Sequence, residues 1–124
     1  MSGIEKRALD RFGEIVSLDL RDSALMRAES LLRGQSKAQG VQSLQEQLAS
    51  LSPAQATAVR LLVQSSVECG IHDFLFKLQE STDLDQGIEV VVDGINVAAA
   101  SDGLQGEPYS DTGWYARLSR FPKD

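Results

Sequence analysis

The sequence predicts an α+β domain in which about four helices precede and cover a small antiparallel sheet, either a hairpin or a three-stranded meander. Three observations carry that reading. Apolar residues recur at helical spacing from Ile4 to Leu78, and the Ser52-Pro53 pair is a strong helix start. The run Ile88–Val97 alternates about an Asp93-Gly94 pair, the residues a type I′ hairpin turn requires.

Length and composition set the outer bounds. A chain of 124 residues closes one core, so residues 1–124 are read as a single domain. Hydrophobic content of 42% and charged content of 24% are those of an ordinary globular chain. No apolar run approaches the length of a membrane span. The opening Met1–Arg7 lacks the apolar segment and cleavage site of a secretory signal, so the expected location is cytoplasmic. One cysteine permits no internal disulfide.

The first helical region, 4–33, holds two apolar registers: Leu9, Phe12, Ile15 and Val16 on one face, then Leu25, Ala28, Leu31 and Leu32 on another. The phase slips around Leu18-Asp19-Leu20, which predicts two helices meeting near Asp22-Ser23, with Ser23 as a cap, or one kinked helix. Gly34 after Arg33 is a natural stop. Residues 35–40 read as a mobile loop, and Val41, Leu44, Leu48 and Leu51 resume the helical spacing. Beyond Pro53, Ala56, Val59, Leu62 and Val63 form an expected core stripe, ending near Cys69-Gly70. A further short helix places Ile71, Phe74, Leu75 and Leu78 on one side, with Asp73 and Lys77 as an ion pair. Residues 81–87 read as an acidic linker.

A two-residue hairpin loop pairs Val92 with Ile95, Val90 with Val97, and Ile88 with Ala99, all on one face. Strands are therefore expected near 88–92 and 95–99. Residues 101–113 are too rich in glycine for a regular element. Trp114–Phe121 alternates well enough for a third, edge strand, with a short helix as the alternative and Pro122 as its end.

Charge separates the function classes. Residues 1–60 hold eight Lys/Arg against seven Asp/Glu, whereas 61–124 hold four against eleven, a local balance of −7 within a net charge of −6. That sign argues against a nucleic-acid partner and suits a protein partner with a basic surface. Nucleotide, dinucleotide, serine-hydrolase and zinc motifs are absent, and no cofactor is expected. Asp102, Glu107 and Asp111 lack the spacing of a calcium loop, so no metal is assigned. His72 is the weak catalytic candidate, with Cys69 or a loop carboxylate as partner in a hydrolase-like alternative. Asp73 cannot readily serve His72, because adjacent helical residues do not face each other.

Asp102, Glu107, Tyr109, Asp111 and Tyr115 form the candidate partner-binding group, because loop tyrosines ringed by charge make recognition surfaces. Tyr109 and Tyr115 are expected outward, Trp114 and Phe121 inward. A second alternative is a self-associating module, a homodimer pairing edge strands or helices.

The run Gly70-Ile71-His72-Asp73-Phe74-Leu75 after a Ser-Pro-capped helix resembles a family of small uncharacterised bacterial proteins with a Gly-Ile-His-Asp-aliphatic-Leu helix. The Ser101-Asp102-Gly103-Leu104-x-Gly106-Glu107 loop and the Gly113-Trp114 pair add to that resemblance. It implies no catalytic assignment. In size and charge the chain is also similar to immunity partners of bacterial toxins, which implies an inhibitor-type, non-enzymatic protein-binding domain.

Overall fold

The structure, a computed structural model, describes residues 1–121, and Pro122 with the last two residues lies outside them. Helix α1 (Gly3–Glu14) opens on a capping box between Ser2 and Glu5, continues through a π-helical segment (Ile15–Asp22), and becomes α2 (Ser23–Leu32) without a break in helical backbone. The slip in apolar phase has its physical cause here. The wider turn delays the stripe, so the face carrying Leu9, Phe12 and Val16 hands over to Leu25. Ile15 falls outside the stripe and is 55% exposed. Ser23 is mid-helix, and its hydroxyl donates back to the Leu18 carbonyl at 3.4 Å instead of capping.

Gly34 takes the left-handed conformation expected of a helix stop (φ +67°). The following loop is tied down rather than free. The buried Gln45 side chain of α3 (Gln42–Ala49) accepts from Ser36 N–H at 2.8 Å and donates to Ser36 O at 3.2 Å.

Helix α4 (Pro53–Asp83) is the longest element, and it does not stop at Gly70. Ser52 and Gln55 close a capping box at its start, as the Ser-Pro pair foretold. An isolated glycine costs about 1 kcal/mol in a helix interior, less than is regained by carrying Ile71, Leu75 and Leu78 into the core in one rigid piece. Its burial is uneven. Val59 and Val63 are only half buried against α2, and Leu62 is 66% exposed, so most of the expected core stripe is not core. Phe74, expected inward, is exposed. Lys77 pairs with Glu80 at 2.8 Å, not with Asp73.

The hairpin forms in the expected register but is short. Strands β1 (Val91–Val92) and β2 (Ile95–Asn96) pair Val92 with Ile95, and Val97 N–H donates to Val90 O at 3.0 Å. Asp93 and Gly94 both have positive φ, as the turn demands. Arg11 of α1 holds both carboxylate oxygens of Asp93, at 2.8 and 2.6 Å. Val90, Val92, Ile95 and Val97 pack on the core, but Ile88 and Ala99 do not pair, and both are exposed. Asn96 ends the ladder. Its Oδ1 accepts from Ala98 and Ala99 N–H and caps a short helix, α5 (Val97–Ala100), a local bond that wins over an alanine-rich strand. Ala98 is thereby turned into the core.

A 3₁₀ turn (Leu104–Gly106) leads to α6 (Trp114–Leu118), the short-helix alternative in place of the third, edge strand, so among the described residues the sheet has two strands. Trp114 and Leu118 lie four residues apart, on one helical face toward the core. Trp114 is fully buried, edge-on to Phe12 at 5.8 Å and against Gly13, where an added Cβ would lie 2.6 Å from its indole. No helix among the described residues is long and apolar enough to cross a membrane.

Candidate docking surface

The loop between α5 and α6 carries most of the residues singled out for recognition, and its base is locked. Leu104 is completely buried, and its N–H donates to Gln79 Oε1 at 2.9 Å. Gln79 Nε2 donates in turn to Ala98 O at 3.0 Å and Asp83 Oδ1 at 3.1 Å, so one buried amide joins α4, α5 and the loop. At the far end Trp114 N–H donates to Glu107 O and Tyr115 N–H to Pro108 O. Gly113 is required by close approach, since a Cβ there would sit 1.9 Å from Tyr109 O.

On this base the loop holds a shallow hollow of about 450 Å³, whose lining includes Asp102, Gln105, Glu107, Tyr109 and Thr112. Three of the five candidate residues therefore meet there. Asp102 is exposed at the rim, and Glu107 accepts a hydrogen bond from Ser101 Oγ at 2.5 Å. Tyr109 is 41% exposed, and partial burial holds its hydroxyl above the ordinary tyrosine range. Asp111 is exposed nearby but outside the lining.

Tyr115 does not belong to this surface. It is buried, edge-on to Tyr109 at 5.7 Å, with the Arg21 guanidinium 4.5 Å over its ring. Its hydroxyl has no hydrogen-bond partner among the described residues, and burial pushes its pKa well above the usual tyrosine value. Tyr115 faces inward because it follows Trp114 on a helix, where neighbours lie about 100° apart rather than on opposite faces. Phe121, expected inward, is half buried.

Arg21 and Asp22 form a buried polar cluster that sequence reasoning missed. Arg21 donates to Glu68 at 2.8 Å, Asp22 at 3.2 Å and Ser119 Oγ at 3.1 Å. Asp22 also accepts from Ser119 Oγ and from the Arg120 and Phe121 N–H groups. The cluster fastens the C-terminal segment to the π-helical turn. Adjacent charges in a helix read as surface; the one available signal was the phase slip just before them.

Cys69 and His72 share one side of α4 because the helix is continuous, but they reach different surroundings. Cys69 lies in a hollow of about 270 Å³ with Leu61, Ser65, Glu68 and Tyr109 among its lining. His72 lines neither this hollow nor the loop hollow; its partner is the neighbour that helical spacing argued against, with ring Nδ1 3.5 Å from Asp73 Oδ1 across an exposed turn. No group of three or more His, Cys, Asp or Glu side chains able to hold a metal occurs among the described residues. A larger groove of about 600 Å³ runs between α2 and α4, floored by Leu25, Leu32 and Val63. Glu29 and Arg60 bridge it at 2.9 Å, and that hydrogen bond holds the Glu29 carboxyl below its usual range.

No protein-family model, curated protein or solved structure matches this chain. The resemblance carried by the Gly70–Leu75 run therefore stands on its short motifs alone.

Proposed function

We propose that this chain is a cytoplasmic, non-enzymatic protein-binding domain of the immunity or inhibitor type, docking through the loop 101–113 on a partner with a basic surface. The observation that supports this most is a preorganised loop. Its exposed Asp102, Asp111 and Tyr109 stand on a base fixed by Gln79, Leu104 and Trp114, so little ordering cost falls on binding. The acidic balance of residues 61–124 would steer a basic partner, and Tyr109 would supply contact area. Glu107 contributes charge while its hydrogen bond to Ser101 holds the loop shape.

The test is kinetic. With a captured partner in hand, Asp102→Lys with Asp111→Lys should slow association by about tenfold or more at low salt and flatten its salt dependence, with dissociation little changed. Both residues are exposed, so folding is preserved. An unchanged on-rate refutes the reading.

A further inference from the structure

We infer that the exposed face of α4 is the contact surface of an antiparallel homodimer, with a two-fold axis at Ser65. The face is a long exposed stripe, bordered by Tyr109 beside Leu61, Ser65 and Cys69. Ala54, Ala58, Leu61, Ser65, Cys69, His72 and Phe76 recur at intervals of four, three and four, an eleven-residue repeat. That repeat averages about 3.67 residues per turn, close enough to a straight α-helix to keep one line along its whole length. All seven are exposed except His72, which is half exposed. None is Asp, Glu, Lys or Arg, so two copies of a chain with net charge −6 can meet here without facing like charges.

The order of sizes along the stripe selects a second copy as the occupant. Reversing the chain about Ser65 sets Ala54 against Phe76, Ala58 against His72, and Leu61 against Cys69, with Ser65 on itself. Each large residue meets a smaller one, the self-complementarity that an isologous two-fold contact demands. A parallel pair would instead stack Phe76 on Phe76 and leave Ala54 facing Ala54. The hollow of about 270 Å³ beside the stripe, walled by Tyr109 and including Ser65 and Cys69, lies where the other copy's Leu61 arrives. Antiparallel helix dipoles also attract.

The area suffices. From Ala54 to Phe76 the helix runs about 33 Å and presents a strip about 10 Å wide. With Leu62 and Tyr109 flanking it, this reaches roughly the 500 Å² per copy that the smallest specific interfaces bury.

The full chain should show a monomer–dimer equilibrium in sedimentation runs at several concentrations. Leu61→Asp, at a residue 55% exposed in the monomer, should weaken it on the order of 100-fold without altering the thermal melt at dilute, monomeric concentration. Geometry supplies a second readout under copper-phenanthroline oxidation. Facing Cα atoms of two packed helices come within roughly 3.5–5.5 Å, inside disulfide reach, so Ser65→Cys in a Cys69→Ser background should cross-link. Native Cys69 and its mate would be about 12 Å apart along the axis and should not. A chain that stays monomeric at every concentration, a dimer indifferent to Leu61→Asp, or cross-linking through Cys69 but not through Ser65→Cys each overturns the proposal.

Discussion

The two halves of α4 are built from similar residues and meet opposite fates. In the C-terminal half Ile71, Leu75 and Leu78 are buried among α1, α5 and the 104–113 loop. In the N-terminal half no residue from Pro53 to Gly70 is fully buried, although Leu61, Leu62 and Val63 form an equally apolar run. Helical period is the same in both. The difference is cover: the core cluster lies over the C-terminal half, while α2 lies along one side of the N-terminal half. Amphipathic phase tells which side of a helix is apolar, not whether anything in the same chain comes to meet it.

The largest expected contrast is between two leucines of this helix. Leu75→Ala, at a residue with no exposed surface, should cost about 2–5 kcal/mol in urea denaturation, against within about 0.5 kcal/mol for Leu62→Ala at dilute, monomeric concentration. Equal losses would mean the N-terminal half has internal cover after all. Next is the cluster at the junction of the halves. Asp22→Asn keeps the shape but leaves Arg21 buried with Glu68 as its remaining carboxylate partner, and should cost about 2–4 kcal/mol.

A smaller loss, about 1–2 kcal/mol, is expected for Gly94→Ala, where φ is +80° and a side chain is strained. Smallest is Tyr115→Phe, which removes a buried hydroxyl without a described partner and should be neutral or slightly stabilising at pH 7. Its effect emerges in alkali. Because the folded state raises the Tyr115 pKa, its contribution is fully present below the ordinary tyrosine value near 10, and stability falls as pH rises beyond that. Tyr115→Phe should blunt this fall in denaturation series between about pH 9 and 11.

Local signals were readable from residues because their causes are local. Ser52-Pro53, Gly34 and Asp93-Gly94 each impose a backbone geometry through their own chemistry, and each does so here. The π-helical turn was visible only as a shifted stripe, since the shift in hydrogen-bond register has no residue that demands it. Trp114-Tyr115 alternates as a strand would, and its helix follows from Trp114 and Leu118 sharing the core, a tertiary preference. The candidate loop was found by composition. That Tyr115 leaves it for Arg21 could not be seen without knowing that α6 is a helix.

The most direct measurement is amide hydrogen exchange along α4 at two protein concentrations. Amides of residues 71–79 should be strongly protected at both, whereas those of 54–66 should exchange faster in dilute solution and gain protection as concentration rises. A uniform profile that ignores concentration would contradict a helix with one half folded into its own core and the other half waiting for a second chain.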